Sequence, residues 1–207
     1  MAGKPREFTY GDYLTWPDDE RWEIINGDAI AMTPAPNLEH QRYLGRLAVK
    51  FHQFLEGKPC EVFVAPLDVL LPNAGESEEE VRSVVQPDIM VVCDPDKLDR
   101  RGIKGAPDLV VEIVSPSTAS NDYIRKLRLY EKHGVKEYWI LHPTDRTVLR
   151  FLLGKAGRFS DPKTFREDES VDSRILKGLS IDLPAIFASP KNGGEKKADD
   201  RRDKPKK

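Results

Sequence analysis

The chain has 207 residues, enough for one domain with trimmings and a sizeable buried core. Charged residues make up 33% and the apolar set 39%, the profile of an ordinary folded domain with a heavily charged surface rather than a membrane-embedded or low-complexity chain. The formal net charge of −2 gives no overall basic surplus, so any affinity for phosphate must come from a local patch or a bound metal.

The N-terminus, MAGKPREFTYGDY, has no apolar h-region, and no apolar run approaches a membrane span. A cytoplasmic location without a membrane partner is expected. Cys60 and Cys93 form no CxxC pair, and no histidines stand at ligand spacing. A zinc site is therefore not expected, and both thiols read as buried, inert residues in a reducing compartment.

Residues 7–17 read as a short helix or turn packing Tyr13, Leu14 and Trp16. Next, Asn26-Gly27 separates two apolar runs, the composition of a type I′ hairpin turn. A two-residue turn there sets Glu23 opposite Ile30, and strand alternation puts Glu23 on the face of Ile25 and Ile30. Asn37 is the expected N-cap of a helix of about five turns. Leu44, Leu47, Phe51, Phe54 and Leu55 form its apolar stripe, and His40 falls on the same stripe. Gly57-Lys58-Pro59 ends it. Three strands are expected at 61–71, 84–93 and 106–115, with an acidic loop after the first. A helix over 121–133 follows, stopped by Gly134, then a strand EYWILHP, a hairpin and a closing turn at IDLPAIF. These elements make residues 1–188 one α/β domain. Residues 189–207 are polar and lysine-rich, and disorder is expected there.

The carboxylates carry the chemical interest. If 84–93 and 106–115 pair antiparallel about a loop centred near Arg100, paired numbers sum to 200 and Asp88 falls opposite Glu112. The length of the loop leaves other registers open. Two carboxylates at that spacing repel unless one keeps its proton or a cation lies between them. Apolar neighbours Val92, Val110 and Val114 disfavour the bland alternative, two solvated strand acids. An oxygen-loving divalent cation such as magnesium resolves the repulsion. Asp108 lies about 13 Å along the strand from Glu112 and reads as a strand-start acid. Asp68 is a weaker option. Asp94 and Asp96 read as turn residues and Glu76 to Glu80 as a solvated loop. His40 is weighed more as a helix-start histidine than as a catalyst.

The segments WEIINGD, VQPDIMVV, PDLVVEIVSPST, GVKEYWILHP and LSIDLPAIF, with Asp122, Lys126 and Tyr130, resemble the motifs of the Uma2 family. That family belongs to the PD-(D/E)XK nuclease superfamily. The resemblance implies a restriction-endonuclease-like core: a mixed β-sheet flanked by helices, here with an N-terminal β-hairpin. It implies that Pro87-Asp88 is the PD element and Glu112 the acid of the (D/E)XK element. The lysine expected two residues after Glu112 is Val114 in this chain. Resemblance then implies that Lys126, one helical face with Asp122 and Tyr130, is a migrated catalytic lysine. Glu23 matches the glutamate of the family's hairpin and is an expected additional site acid.

The resulting expectation is a metal-dependent endonuclease acting on DNA. Asp88 and Glu112 would hold Mg²⁺ or Mn²⁺ with the main-chain carbonyl of Ile113, and Lys126 and Glu23 would complete the catalytic set. Arg125, Arg128 and Lys132 could meet the phosphate backbone. A homodimer is expected from resemblance. The alternative is a nuclease-fold module that binds nucleic acid or a protein partner without cutting, which the missing lysine after Glu112 and the negative charge favour. A third reading is hydrolysis of some other phosphate ester.

Overall fold

The computed structural model describes residues 6–17, 19–32, 37–114 and 121–189, and of 121–123 the backbone only. The expected tail, the turn at Pro116-Ser117-Thr118 and the side chain of Asp122 lie outside the described residues.

Helix α1 (Tyr10–Tyr13) is capped by Thr9, whose side chain accepts from the Asp12 N–H while Asp12 reaches back to the Thr9 N–H. Trp16 and Tyr13 pack as expected, but Leu14 is 47% exposed. The helix is a single turn ending at Tyr13, and Leu14, its C-cap, lies beyond it and continues no stripe. Strands β1 (Trp22–Ile25) and β2 (Asp28–Ala31) form the hairpin, with Glu23 opposite Ile30. Asn26 and Gly27 have φ of +52° and +86°, as a type I′ turn requires. Helix α2 (Leu38–Leu55) runs five turns from Asn37, whose side chain accepts from the His40 N–H at 2.8 Å. Tyr43, Leu44, Leu47, Phe51 and Leu55 are its buried stripe.

Two of the three expected strands are each two strands. Residues 61–71 divide into β3 (Glu61–Val64) and β4 (Asp68–Leu70) around the Ala65–Pro66 bond. Residues 84–93 divide into β5 (Val84–Val85) and β6 (Ile89–Val92) around Gln86-Pro87-Asp88. Proline has no N–H for a ladder, so each proline marks where the chain leaves one sheet for another. The rest is β7 (Gly102–Lys104), β8 (Leu109–Ile113), α3 (Asn121–His133), β9 (Glu137–His142), β10 (Thr147–Leu152), β11 (Lys163–Arg166), β12 (Ser170–Asp172), β13 (Ser180–Asp182) and α4 (Leu183–Phe187). β7 was not expected: it lies inside the presumed 94–105 loop and pairs parallel with β4.

The order β11-β10-β9-β8-β6-β3 makes a six-stranded mixed sheet, and β2-β1-β5-β4-β7 a five-stranded one. The larger sheet is covered on both faces. On one, Leu47 and Phe51 of α2 and Ile186 and Phe187 of α4 pack on Val91, Val111, Ile113 and Trp139. On the other, Leu129 and Tyr130 of α3 and Ile25, Val69 and Val85 of the smaller sheet pack on Met90, Val110, Tyr138 and Ile140. Burial on both faces explains why β8 reads as a nearly continuous apolar run. The mixed sheets with flanking helices and an N-terminal hairpin match the fold class expected from sequence. Among the described residues no helix is long and apolar enough to cross a membrane.

The cysteines correct the sequence reading. Cys60 and Cys93 are joined as a disulfide. The β3/β6 register pairs Glu61 with Val92, and one further step sets Cys60 opposite Cys93. Their 33-residue separation in sequence concealed a cross-strand pair. Closing a loop of that length is expected to add about 2–4 kcal/mol to stability by restricting the unfolded chain. Thermal melts with and without dithiothreitol check this, with Cys60→Ser/Cys93→Ser as control. An unchanged melting temperature on verified reduction would mean that the bond contributes nothing.

Candidate active site

β8 alternates its side chains between the two cores. Val111 and Ile113 face α2, whereas Val110, Glu112 and Val114 face α3 and the hairpin. The β6/β8 register pairs Ile89 with Val111 and Met90 with Val110, so paired numbers sum to 200. One step beyond the ladder, Asp88 arrives at the level of Glu112. Asp88 Oδ2 accepts from the Ile113 N–H at 2.7 Å, which fixes the carboxylate across the end of β8.

Four further side chains converge there. Lys126 Nζ donates to Glu112 Oε1 at 3.0 Å and to Glu23 Oε1 at 2.8 Å. Tyr130, one turn along α3, donates its hydroxyl to Glu112 Oε1 at 2.7 Å. Glu23 Oε1 also accepts from the Gln86 N–H at 2.8 Å. His40 Nε2 lies 3.0 Å from Asp88 Oδ1. Helical spacing explains why Lys126 and Tyr130 share one acceptor, and the hairpin register explains why Glu23 reaches it.

Glu23, Glu112 and Lys126 are each less than 10% exposed. Burial pushes the Glu112 carboxyl up, Lys126 draws it down, and Asp88 and Glu23 push it up again, leaving it at about 7. Burial opposes the charge of Lys126, but the facing Glu112 and Glu23 carboxylates outweigh it and hold the ammonium protonated. Burial and the same carboxylates raise Tyr130, so its hydroxyl remains a donor. Burial disfavours a charged His40, yet the hydrogen bond and charge of Asp88, the charge of Glu112 and the Ile113 backbone together raise its pKa.

These groups fit a divalent cation. Asp88, of the expected ligand set, lies 3.0 Å from the His40 imidazole, and Asp88, Glu112 and the Ile113 backbone together favour positive charge there. Two carboxylates, Glu112 and Glu23, share the single Lys126 ammonium while Asp88 pairs with His40, and burial above all, with the Asp88 and Glu23 charges, raises the Glu112 pKa. Among the described residues no three His, Cys, Asp or Glu side chains form a ready cation cage. Two carboxylates supplemented by water and substrate oxygen are the set that magnesium commonly uses.

The sequence reading singled out Asp88, Glu112, Ile113, Lys126 and Glu23, and the structure brings all five together. His40 was weighed mainly as a helix-start histidine. Its backbone does take the Asn37 cap, but its ring turns to Asp88. Its place on the apolar stripe was the available signal, because that stripe faces the sheet. Gln86 was missed. The other acids stay apart. Asp108 accepts from the Cys93 N–H and Lys136, and Asp94 caps the turn at Asp96. Asp68 bonds Gln86 and Tyr13. The Glu76–Glu80 run is more built than a solvated loop: Glu76 holds Asn73 and Arg82, and Glu80 caps Ser77. On α3, Arg125 pairs loosely with Asp28 at 3.6 Å.

Comparison with known proteins adds three findings. A family model, Uma2, described as "Putative restriction endonuclease", matches residues 10–184. "Uncharacterized protein slr1290" of Synechocystis sp. is 30% identical over 132 residues, 63% of this chain. The match spans 65% of that relative's own length, just under two thirds. A crystal structure from Anabaena variabilis, titled as a "putative nuclease belonging to DUF820", superposes with a TM-score of 0.69 at 19% identity. That superposition covers 87% of this chain and 97% of the other, and establishes a shared fold.

Proposed function

The chain belongs to the Uma2 family, whose model is described as "Putative restriction endonuclease", and from that premise we propose that it hydrolyses phosphodiester bonds in DNA with Mg²⁺ or Mn²⁺. The observation that carries this reading is the convergence of Asp88, Glu112, Glu23 and Lys126 from four separate elements onto one buried polar cluster. Buried charges are costly unless they serve a purpose or are fully paired, and here acid outnumbers base.

Asp88, Glu112 and the Ile113 carbonyl would hold the metal. A bound Mg²⁺ or Mn²⁺ supplies Lewis acidity towards the scissile phosphate and its attacking water. Lys126 stays protonated, so it acts by charge and hydrogen bonding on the developing negative charge and not by taking a proton. Tyr130 and Lys126 both bond Glu112 Oε1, which orients that carboxylate. Glu23 fixes the ammonium from the opposite side, as a positioning residue. The exposed Arg128 and Lys132 on α3 are placed to meet the phosphate backbone. A homodimer is the proposed working form.

Divalent metal is expected to stabilise the fold by mass action, because it binds the folded cluster and relieves the repulsion between carboxylates. Asp88→Asn and Glu112→Gln should each reduce that response at least severalfold and abolish cleavage of plasmid DNA. Calorimetry with Mn²⁺ and a plasmid-nicking assay check both. Absence of Mn²⁺ binding by the wild type at millimolar metal would refute the metal site. Mn²⁺ binding without cleavage of either plasmid or single-stranded DNA would favour the non-catalytic module.

A further inference from the structure

Next to the carboxylate cluster the hairpin and the segment after α1 enclose an open pocket of about 290 Å³. Its walls include Tyr13, Trp16, Trp22, Arg21, Gln86 and the acidic Glu20. The proposed function leaves it unused. The Trp16 and Trp22 rings lie 5.5 Å apart and cross at 64°, so they form a corner and not a flat wall. Trp16 is braced from behind by Tyr13 and Phe8, at 5.6 and 5.4 Å. The Trp22 indole N–H is held by Glu20 at 2.9 Å.

A fixed polar chain runs along the other side. Gln86 is buried and its amide is orientated: the Nε2 group donates to Asp68 and Tyr13, and Oε1 accepts from Arg21 at 2.7 Å. Among the described residues Gln86 is the hydrogen-bond partner of the Arg21 side chain. Arginine has five donors in a planar fork, so a guanidinium held at one point keeps others for a base edge or a phosphate.

Trp22 and Glu23 leave β1 on opposite faces, and the pocket is linked to the cluster around the strand end through Gln86. The Gln86 N–H donates to Glu23, which holds Lys126. Gln86 and Asp88 are two residues apart, at most about 7 Å of chain. On the pocket's other edge, Ala65, beside Pro66, donates its N–H to the Asp88 carbonyl at 3.1 Å. A volume just below the roughly 300 Å³ at which small-molecule sites begin suits one flat ring system. Aromatic walls, an arginine and immediate proximity to a phosphodiester site together select a nucleobase over other flat groups.

We propose that this Trp16/Trp22/Arg21/Gln86 pocket binds one unpaired base of the DNA strand whose backbone lies at the Asp88/Glu112 cluster, which makes the site selective for single-stranded or locally opened DNA. The inference rests on the nuclease reading, since that reading puts DNA at the cluster. A base inside a duplex is stacked and paired, and entering the pocket would require extruding it at a cost of a few kcal/mol. An already unpaired base avoids that cost.

The test uses tryptophan emission. Trp139 is fully buried in the core, so a bound base changes chiefly Trp16 and Trp22. The full chain with Ca²⁺ is titrated with a single-stranded deoxyoctanucleotide and with a hairpin duplex of the same sequence. Quenching and tighter binding are expected for the single strand. Trp22→Ala should weaken single-strand binding about tenfold and leave duplex binding within twofold. Arg21→Ala, at an exposed position, guards against a folding defect and should act in the same direction. Equal losses for both substrates, or no quenching by the single strand, would overturn the pocket assignment. Mn²⁺ calorimetry on the wild type separates the two readings: a metal site that survives while quenching fails leaves the nuclease reading intact. Quenching by the single strand without Mn²⁺ binding keeps the pocket and removes the nuclease.

Discussion

Lys126→Ala is expected to lower metal-dependent DNA cleavage by about a hundredfold or more, the usual effect of removing one preorganised donor from a developing negative charge. The same substitution should also weaken the metal-free fold. Lys126 is the ammonium shared by Glu23 and Glu112, both buried. Its loss leaves two close carboxylates without a cation, at a cost of about 3–5 kcal/mol. The two effects can be separated. Saturating Mn²⁺ supplies positive charge to Glu112 and should recover much of the melting temperature, whereas the rate should stay low. Single-turnover cleavage at a temperature where both proteins are folded checks the rate, and scanning calorimetry with and without Mn²⁺ checks the fold. If folded Lys126→Ala cleaves as fast as wild type, the lysine is a structural counter-ion and the transition state is stabilised by other groups.

The cluster was largely legible because three local rules shape it. Asn26-Gly27 permits one tight turn, and that turn fixes where Glu23 points. Strand alternation puts Glu112 with Val110 and Val114, facing α3, and helical spacing puts Lys126 and Tyr130 on one face of that helix. The register summing to 200 was also right, although the loop used to infer it contains β7, which belongs to the other sheet. The catalytic role proposed for Lys126 comes only from family resemblance. By spacing alone it is one cation among Arg125, Arg128 and Lys132.

What escaped the sequence depends on which sheet a segment joins. Residues 61–71 and 84–93 each read as one largely apolar strand, yet Pro66 and Pro87 divide them between two sheets. An apolar residue that packs under either sheet looks the same in one dimension. Once β3 is known to pair with β6, Cys60 and Cys93 face each other without further information. His40 and Gln86 belong to the same class. Their partners, Asp88 and Asp68, lie 48 and 18 residues away and are reached only through the packing of α2 and the bend at Pro87.

Glu137→Ala is expected to be among the most destabilising single changes in the domain, by about 3–5 kcal/mol, although Glu137 lies outside the Asp88/Glu112/Lys126 cluster. Its side chain is fully buried at the start of β9. Oε1 accepts from the Trp139 indole N–H at 2.6 Å. Oε2 accepts from the Ser173 hydroxyl at 3.0 Å and from the Arg174 and Ile175 N–H groups at 2.9 and 3.1 Å. One carboxylate thereby ties the chain between β12 and β13 to the central sheet. Truncation leaves four donors without this acceptor and a void beneath Trp139. Glu137→Gln keeps the volume and one carbonyl oxygen, but its NH₂ must face donors, so an intermediate loss is expected. Because the carboxylate does not touch Asp88, Glu112 or Lys126, Mn²⁺ affinity of the folded variant should stay within about twofold of wild type. Urea unfolding and Mn²⁺ calorimetry on the two variants check this. A Glu137→Ala protein within 1 kcal/mol of wild type would show that water replaces the carboxylate and that the 173–176 turn holds itself.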